Sequence, residues 1–171
     1  MKQLPFITLI LFFIIGCNNQ SKDQPKEKAQ IDAGKLKTYE VIADTIINDI
    51  VIKNPNNDEW TDFCLRKLDK ASFVDYIFEA VYAEELTPYD FFDETVLTID
   101  DIQKLENNPE FDRNKIAKVQ YEEAWYYDKQ NNTMIKKVHS IMLAYEIYNS
   151  QGEIKGYKPA FKVYFNNESI Q

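Results

Sequence analysis

The chain has 171 residues, with 20 basic and 28 acidic side chains and a formal charge of −8. A body this acidic repels phosphate backbones and anionic headgroups, which argues against nucleic-acid binding. One histidine and two cysteines are too few to build a zinc centre, and no metal or other cofactor is implied.

Residues 1–16 read as a leader. Lys2 supplies a short basic start, and the apolar run from Leu4 to Ile15 is too short to cross a bilayer as a helix. The run ends Ile14-Ile15-Gly16-Cys17, which resembles a bacterial lipobox, a small residue before a cysteine. The lipobox implies cleavage before Cys17 and acyl chains on its thiol. Cleavage leaves 171 − 16 = 155 residues and, without Lys2, a charge of 19 − 28 = −9. That is enough chain for one domain. Membrane association then comes from the acyl chains, each buried methylene contributing about 0.8 kcal/mol. Asn18 after the cysteine gives no inner-membrane retention signal and no acidic run follows, so the expected place is the outer membrane, facing the periplasm.

Residues 17–37 are polar and cannot bury enough surface to order themselves. They read as a flexible tether, with a reach of about 25 Å. Residues 38–171 are the domain. Tyr39, Ile42, Ala43, Ile46, Ile47 and Ile50 recur at helical spacing, so a helix capped by Thr38 and ending near Asp49 is expected. A short extended Ile50–Lys53 and a loop at Asn54-Pro55-Asn56-Asn57-Asp58 follow. Cys64, with Cys17 acylated, has no disulfide partner and reads as a small buried side chain.

Ser72 and Asp75 have capping-box spacing, and Phe73, Val74, Ile77, Phe78 and Val81 share one helical face. Pro88 stops that helix. A second, short helix starts at Thr98, where Thr98 and Asp101 repeat the capping spacing, with Ile102 and Leu105 inward and Asn107-Asn108-Pro109 at its end.

From Val119 to Phe165 the pattern changes to period two. Val119, Tyr121, Glu123, Trp125 and Tyr127 fall on one side of a first strand. Ile135, His139, Ile141, Leu143, Tyr145 and Ile147 do so in a second, and Tyr157, Phe161, Val163 and Phe165 in a third. Turn formers at 128–132 and 149–152 join them. Such alternation marks a half-buried antiparallel sheet. The fold class is α+β: a three-strand C-terminal meander packed against two or three helices.

The search for chemistry finds little. His139 lies mid-strand with no second histidine, and no Gly-x-Ser-x-Gly elbow or phosphate loop is present. Glu122 and Glu123 are adjacent on a strand and point to opposite faces. Asp90, Asp93 and Glu94 lack the spacing of a calcium loop and read as solvated. The chain is read as no enzyme. Its aromatic content, eleven Tyr, eleven Phe and two Trp, is mostly explained by packing. Trp125-Tyr126-Tyr127 must still show rings on both faces of its strand. Tyr126, Tyr148 and Tyr164 are therefore candidates for a partner surface.

Glu123-Ala-Trp125-Tyr-Tyr-Asp128-Lys129-Gln130 resembles the Trp-aromatic-aromatic-Asp-Lys-Gln stretch of the GldN/PorN family. Gly152-Glu-Ile-Lys-Gly156-Tyr157-Lys158-Pro159-Ala-Phe161 resembles that family's following strand, and Leu86-Thr87-Pro88-Tyr89-Asp90 its turn after a helix. The resemblance implies a non-enzymatic subunit of the type IX secretion and gliding-motility apparatus of Bacteroidota, partnered by a lipoprotein of the GldK/PorK kind. It also marks Asp128–Gln130 and Gly156–Pro159 as structurally specified, with Gly156 needing unusual dihedrals and Pro159 suiting an edge strand. The alternative reading is a stand-alone lipoprotein that binds a small ligand or glycan in an aromatic cleft.

Overall fold

In the computed structural model residues 39–165 are described. The leader, Cys17, the tether and Thr38 lie outside them. Long β-branched and aromatic runs make strands dominant. The elements are β1 (Glu40–Val51), α1 (Glu59–Leu65), α2 (Lys70–Tyr82), β2 (Pro88–Tyr89), α3 (Ile99–Glu106), a 3-10 turn (Arg113–Lys115), β3 (Ile116–Asp128), β4 (Thr133–Tyr148) and β5 (Ile154–Tyr164). The strands form one five-stranded sheet in the order β1-β3-β4-β5-β2, antiparallel at every junction.

The α+β class holds, and β3, β4 and β5 run consecutively through the middle of the sheet. The sheet is wider than the expected three strands. The first segment is a strand, not a helix: Glu40 to Val51 pairs with β3 along its length. Its isoleucines and valines lose side-chain freedom in a helix and fit a pleated surface. The supposed helical stripe is not an inward face either, since Ile42, Ile47 and Ile50 are exposed. As an edge strand, β1 is covered on one side only. Two register shifts, between Val41 and Ala43 and between Ala43 and Ile46, further break its alternation.

Bulges also redraw the faces of the central strands. β3 is paired residue by residue from Lys118 to Asp128, whereas β4 skips His139 between Val138 and Ser140. One extra residue reverses the parity of everything beyond it. Ile141 and Leu143 share a face with Val119 and Tyr121, under the helices, but Ile135 falls on the opposite face, opposite Tyr126. The expected row from Ile135 to Ile147 is therefore split at His139. In β5, Ala160 is skipped in the same way, so Phe161 and Val163 stay inward while Tyr157 turns to the other face, opposite Glu146.

The main core lies between the helices and the inward face. Val74, Ile77, Phe78 and Val81 of α2 and Ile102 of α3 meet Val119, Ile141, Leu143, Tyr145, Phe161 and Val163. Phe78 is its centre, edge-on to Phe161 with ring centroids 5.0 Å apart. Arg113 caps the other side of Phe78 at 4.1 Å. The helix termini explain where α2 and α3 sit. Asp69, not Ser72, caps α2: its carboxylate accepts from the Ser72 amide at 3.1 Å and the Ser72 hydroxyl at 2.7 Å. Thr98 caps α3 as expected, with Asp101 reaching back to the Thr98 amide. α2 ends at Tyr82, where Glu84 takes a left-handed φ of 59°, before Pro88 is reached.

Truncating the ring at the centre of the core should be costly. Phe78→Ala is expected to lower unfolding stability by about 3–5 kcal/mol, read as a fall in the urea midpoint with an unchanged slope.

Candidate interaction surface

The helix-side face is apolar at the α2 end of β3 and β4 and polar at the other. Beyond the bulge, Glu123, Trp125 and Lys136 replace the aliphatic rows. Glu123 is buried there. Its Oε1 accepts from Asn48 Nδ2 of β1 at 2.6 Å, from Trp125 Nε1 of β3 at 2.9 Å and from Lys136 Nζ of β4 at 3.2 Å. The Lys136 ammonium also lies 4.4 Å from the Trp125 ring centroid. One carboxylate thus bolts three strands together. Burial opposes its charge, but the donations from Trp125, Lys136 and Asn48 outweigh it and hold the pKa below the ordinary carboxylate value. Glu122 faces the other way, accepting from Ser140 Oγ at 3.1 Å with Lys162 Nζ 3.4 Å away.

The residues that carried the resemblance are turn caps and strand ties. Asp128 Oδ1 accepts from the Gln130 and Asn131 amides, and Oδ2 from the Asn131 side chain at 2.7 Å. Lys129 pairs with Glu40 at 2.6 Å, fastening the start of β1 to the β3–β4 turn. Asp90 does the same work in its own turn, accepting from the Phe92 and Asp93 amides. Pro88 and Tyr89 form β2, opposite Val163 and Lys162. Gly156 does not have the unusual dihedrals expected of it. That conformation belongs to Gly152, with a φ of 82° in the β4–β5 turn, and a Cβ at Gly156 would meet nothing. Pro159 lies in β5 opposite Ala144. β2 reaches only Val163 and Lys162, so the outer side of β5 at Pro159 is unpaired, where a missing amide costs nothing. Lys158 is exposed.

Tyr126, Tyr148 and Tyr164 share the sheet face away from the helices but do not meet. Tyr126 is only 8 % exposed and forms a second small cluster with Ala124, Tyr39 and Ile135. Tyr164 donates to Glu94 at 3.0 Å and packs edge-on against Tyr89. Tyr148 is the more open ring, and its hydroxyl donates to Glu146.

Composition gave no hint of the largest exposed aromatic group. α1, seven residues long, buries none of its side chains. Trp60, 72 % exposed, stacks on Phe63 with centroids 5.7 Å apart, and the Arg66 guanidinium lies 3.7 Å from the Phe63 ring. Cys64 on the same helix is exposed rather than buried. The tip between β2 and α3 shows a second pair, Phe91 packed edge-on against Phe92, the latter 79 % exposed. The missed signal is Asp58, whose side chain accepts from the Thr61 amide and hydroxyl and so starts α1.

Asp75 and Glu106 come near one another at a cavity of about 430 Å³ also lined by Lys70 and Phe111. Both are paired with the one Arg113 guanidinium, at 3.0 Å and 2.6 Å. Burial acts against the Glu106 charge, yet Arg113 and the Tyr82 hydroxyl hold its pKa below the ordinary value, so at neutral pH it is a carboxylate without a proton to give. Burial and the neighbouring Glu106 push Tyr82 up to about 12. His139 sits at the bulge, with its carbonyl accepting from the Phe165 amide. Among the described residues no group of three or more His, Cys, Asp or Glu could hold a metal ion, and no helix is long and apolar enough to cross a membrane.

This geometry defines an α+β domain whose polar groups tie strands and turns together and whose exposed large hydrophobic residues include the rings of Trp60, Phe63 and Phe92. The profile of the gliding motility associated protein GldN matches residues 37–169, and the chain belongs to that family. A comparison with curated proteins returned no match.

The Glu123 tie makes a pH prediction with a definite sign. A carboxylate whose folded pKa is depressed contributes stability above its unfolded value, about 4.3, and loses that contribution as pH falls through the folded value. Acid unfolding followed by circular dichroism should therefore show a limb below that pH. Glu123→Gln should flatten the limb and lower stability at neutral pH by about 2–3 kcal/mol.

Proposed function

We propose that the chain is a non-enzymatic, lipid-anchored subunit of an envelope assembly serving secretion or gliding motility. Membership of the GldN family supports the motility part of this reading. The observation that carries the structural part is α1: a helix that buries nothing and presents Trp60 stacked on Phe63. Exposed aromatic anchors of this kind, with a guanidinium alongside, are enriched where partners dock.

The mechanism is mechanical. Acyl chains on Cys17 hold the domain to the periplasmic side of the outer membrane, and the tether lets it turn. Confinement to one plane raises the effective concentration of neighbours, so contacts too weak to form in solution assemble there. The partner is another envelope-assembly subunit, a lipoprotein of the GldK/PorK kind by resemblance. Tyr148 and Tyr164 belong to the polar sheet face, where they add a second contact area.

Two measurements test this. Labelled palmitate should mark the wild-type chain and be lost from Cys17→Ser; equal labelling of both would remove the anchor. Pull-down from detergent-solubilised envelopes should recover other subunits with wild type, and Trp60→Ala with Phe63→Ala should abolish that recovery. The double variant should melt within about 0.5 kcal/mol of wild type per site, because neither ring is buried. Recovery of the monomer alone from wild-type envelopes would count against the assembly.

A further inference from the structure

A cleft of about 670 Å³ opens where the loop after β1 faces the β4–β5 turn, lined among others by Lys53, Asn56, Asn57, Glu146, Tyr148 and Tyr157. Glu146 is 1 % exposed. Its Oε2 accepts from Lys53 Nζ at 2.5 Å and from the Tyr148 hydroxyl. Its Oε1 is buried and has no partner. A buried carboxylate oxygen without a donor costs free energy, and a fold that leaves one beside an open cleft leaves a demand for a donor from outside.

The surroundings decide what kind of donor. Lys53 is on the other oxygen, Lys115 Nζ lies 5.9 Å from the Tyr148 ring centroid, and Lys118 Nζ lies 5.8 Å from that of Tyr157. Lys115 donates to the Glu110 carbonyl and Lys118 is paired with Asp49 at 2.5 Å, so the ammonium that an organic cation arriving at Oε1 would meet is that of Lys53, on the same carboxylate. An anion would be set against the buried Glu146 carboxylate. A neutral polyhydroxylated ligand meets neither penalty: one hydroxyl donates to Oε1 while others accept from the ammonium and amide groups. Two tyrosine rings supply faces for its C–H groups. We propose that this cleft binds a saccharide unit, with Glu146 as the acceptor at its base and Tyr148 and Tyr157 as its aromatic walls. Tyr148, 40 % exposed, lines the cleft with its hydroxyl on Oε2 of Glu146. The cleft adjoins α1 through Asn54, which lines it and donates to Asp62, but does not use the Trp60 and Phe63 rings.

The test is amide NMR on the intact chain, titrated separately with maltotriose, with the trisaccharide of N-acetylglucosamine, with lysinamide and with inorganic phosphate. At least one trisaccharide should shift residues 53–57 and 146–157 with millimolar affinity. Tyr157→Ala should weaken it about three- to tenfold, and Glu146→Gln should weaken it with the melting temperature as a check on folding. Shifts with lysinamide or phosphate but with neither sugar would overturn the proposal. So would sugar shifts unchanged in Tyr157→Ala, or a crystal in which one ordered water stays on Oε1 before and after a sugar soak.

Discussion

An extended chain has only two sides, and one surplus residue exchanges them. In β4 that residue is His139, while β3 runs on beside it without a break. Toward the turn at 149–152 the helix-side face therefore carries Ile141 and Leu143, and toward the turn at 128–132 it carries Lys136 and Met134, opposite Trp125 and Tyr127. α2 covers the first region, and its buried residues match it in kind. The second region is organised by charge. Had β4 kept strict alternation, Ile135 would have joined the main core and Lys136 would have pointed away from Glu123.

Charge is used for joining, and the buried acids Glu123 and Glu146 are each tied to elements far away in sequence. Glu123 joins β1, β3 and β4. Glu146 receives Lys53 from just past β1, across the width of β3. Arg113 holds Asp75 of α2 and Glu106 of α3 over the Phe78 ring. Such pairs contribute modestly to net stability, because desolvation offsets much of the attraction. Breaking one leaves a buried charge alone, so they fix which strand lies where more than how tightly the whole holds.

Reading the sequence succeeded where the signal is local. The Thr98–Asp101 box, the inward face of α2 and the turn at Asp128 each depend on residues within one turn of each other, and each is found in the fold. It failed where a neighbour across the sheet decides. β1 has apolar residues at both helical and strand spacings, and pairing with β3 selects the strand. Bulges at His139 and Ala160 have no side-chain signature, so the rows containing Ile135 and Tyr157 were assigned to the wrong face. Asp69 caps α2 by bonding to Ser72, the same three-residue spacing that Ser72 and Asp75 repeat one turn later. Of the rings on the proposed interaction surface, Tyr148 and Tyr164 were legible as strand aromatics, whereas Trp60 and Phe63 were not. Their helix is too short to show a period, and Cys64 beside them suggested a buried segment.

α1 owes its form to local bonds: Asp58 at its start, the Asn54 amide on Asp62, and Arg66 folded back on Phe63. Unwinding it uncovers almost no apolar area that was hidden before, so its opening sits at the low end of the free energies found within a native protein. None of its side chains belongs to the core around Phe78. A molecule built this way has a stiff body and a loosely held aromatic arm, which can change shape on contact without transmitting strain to the strands behind it.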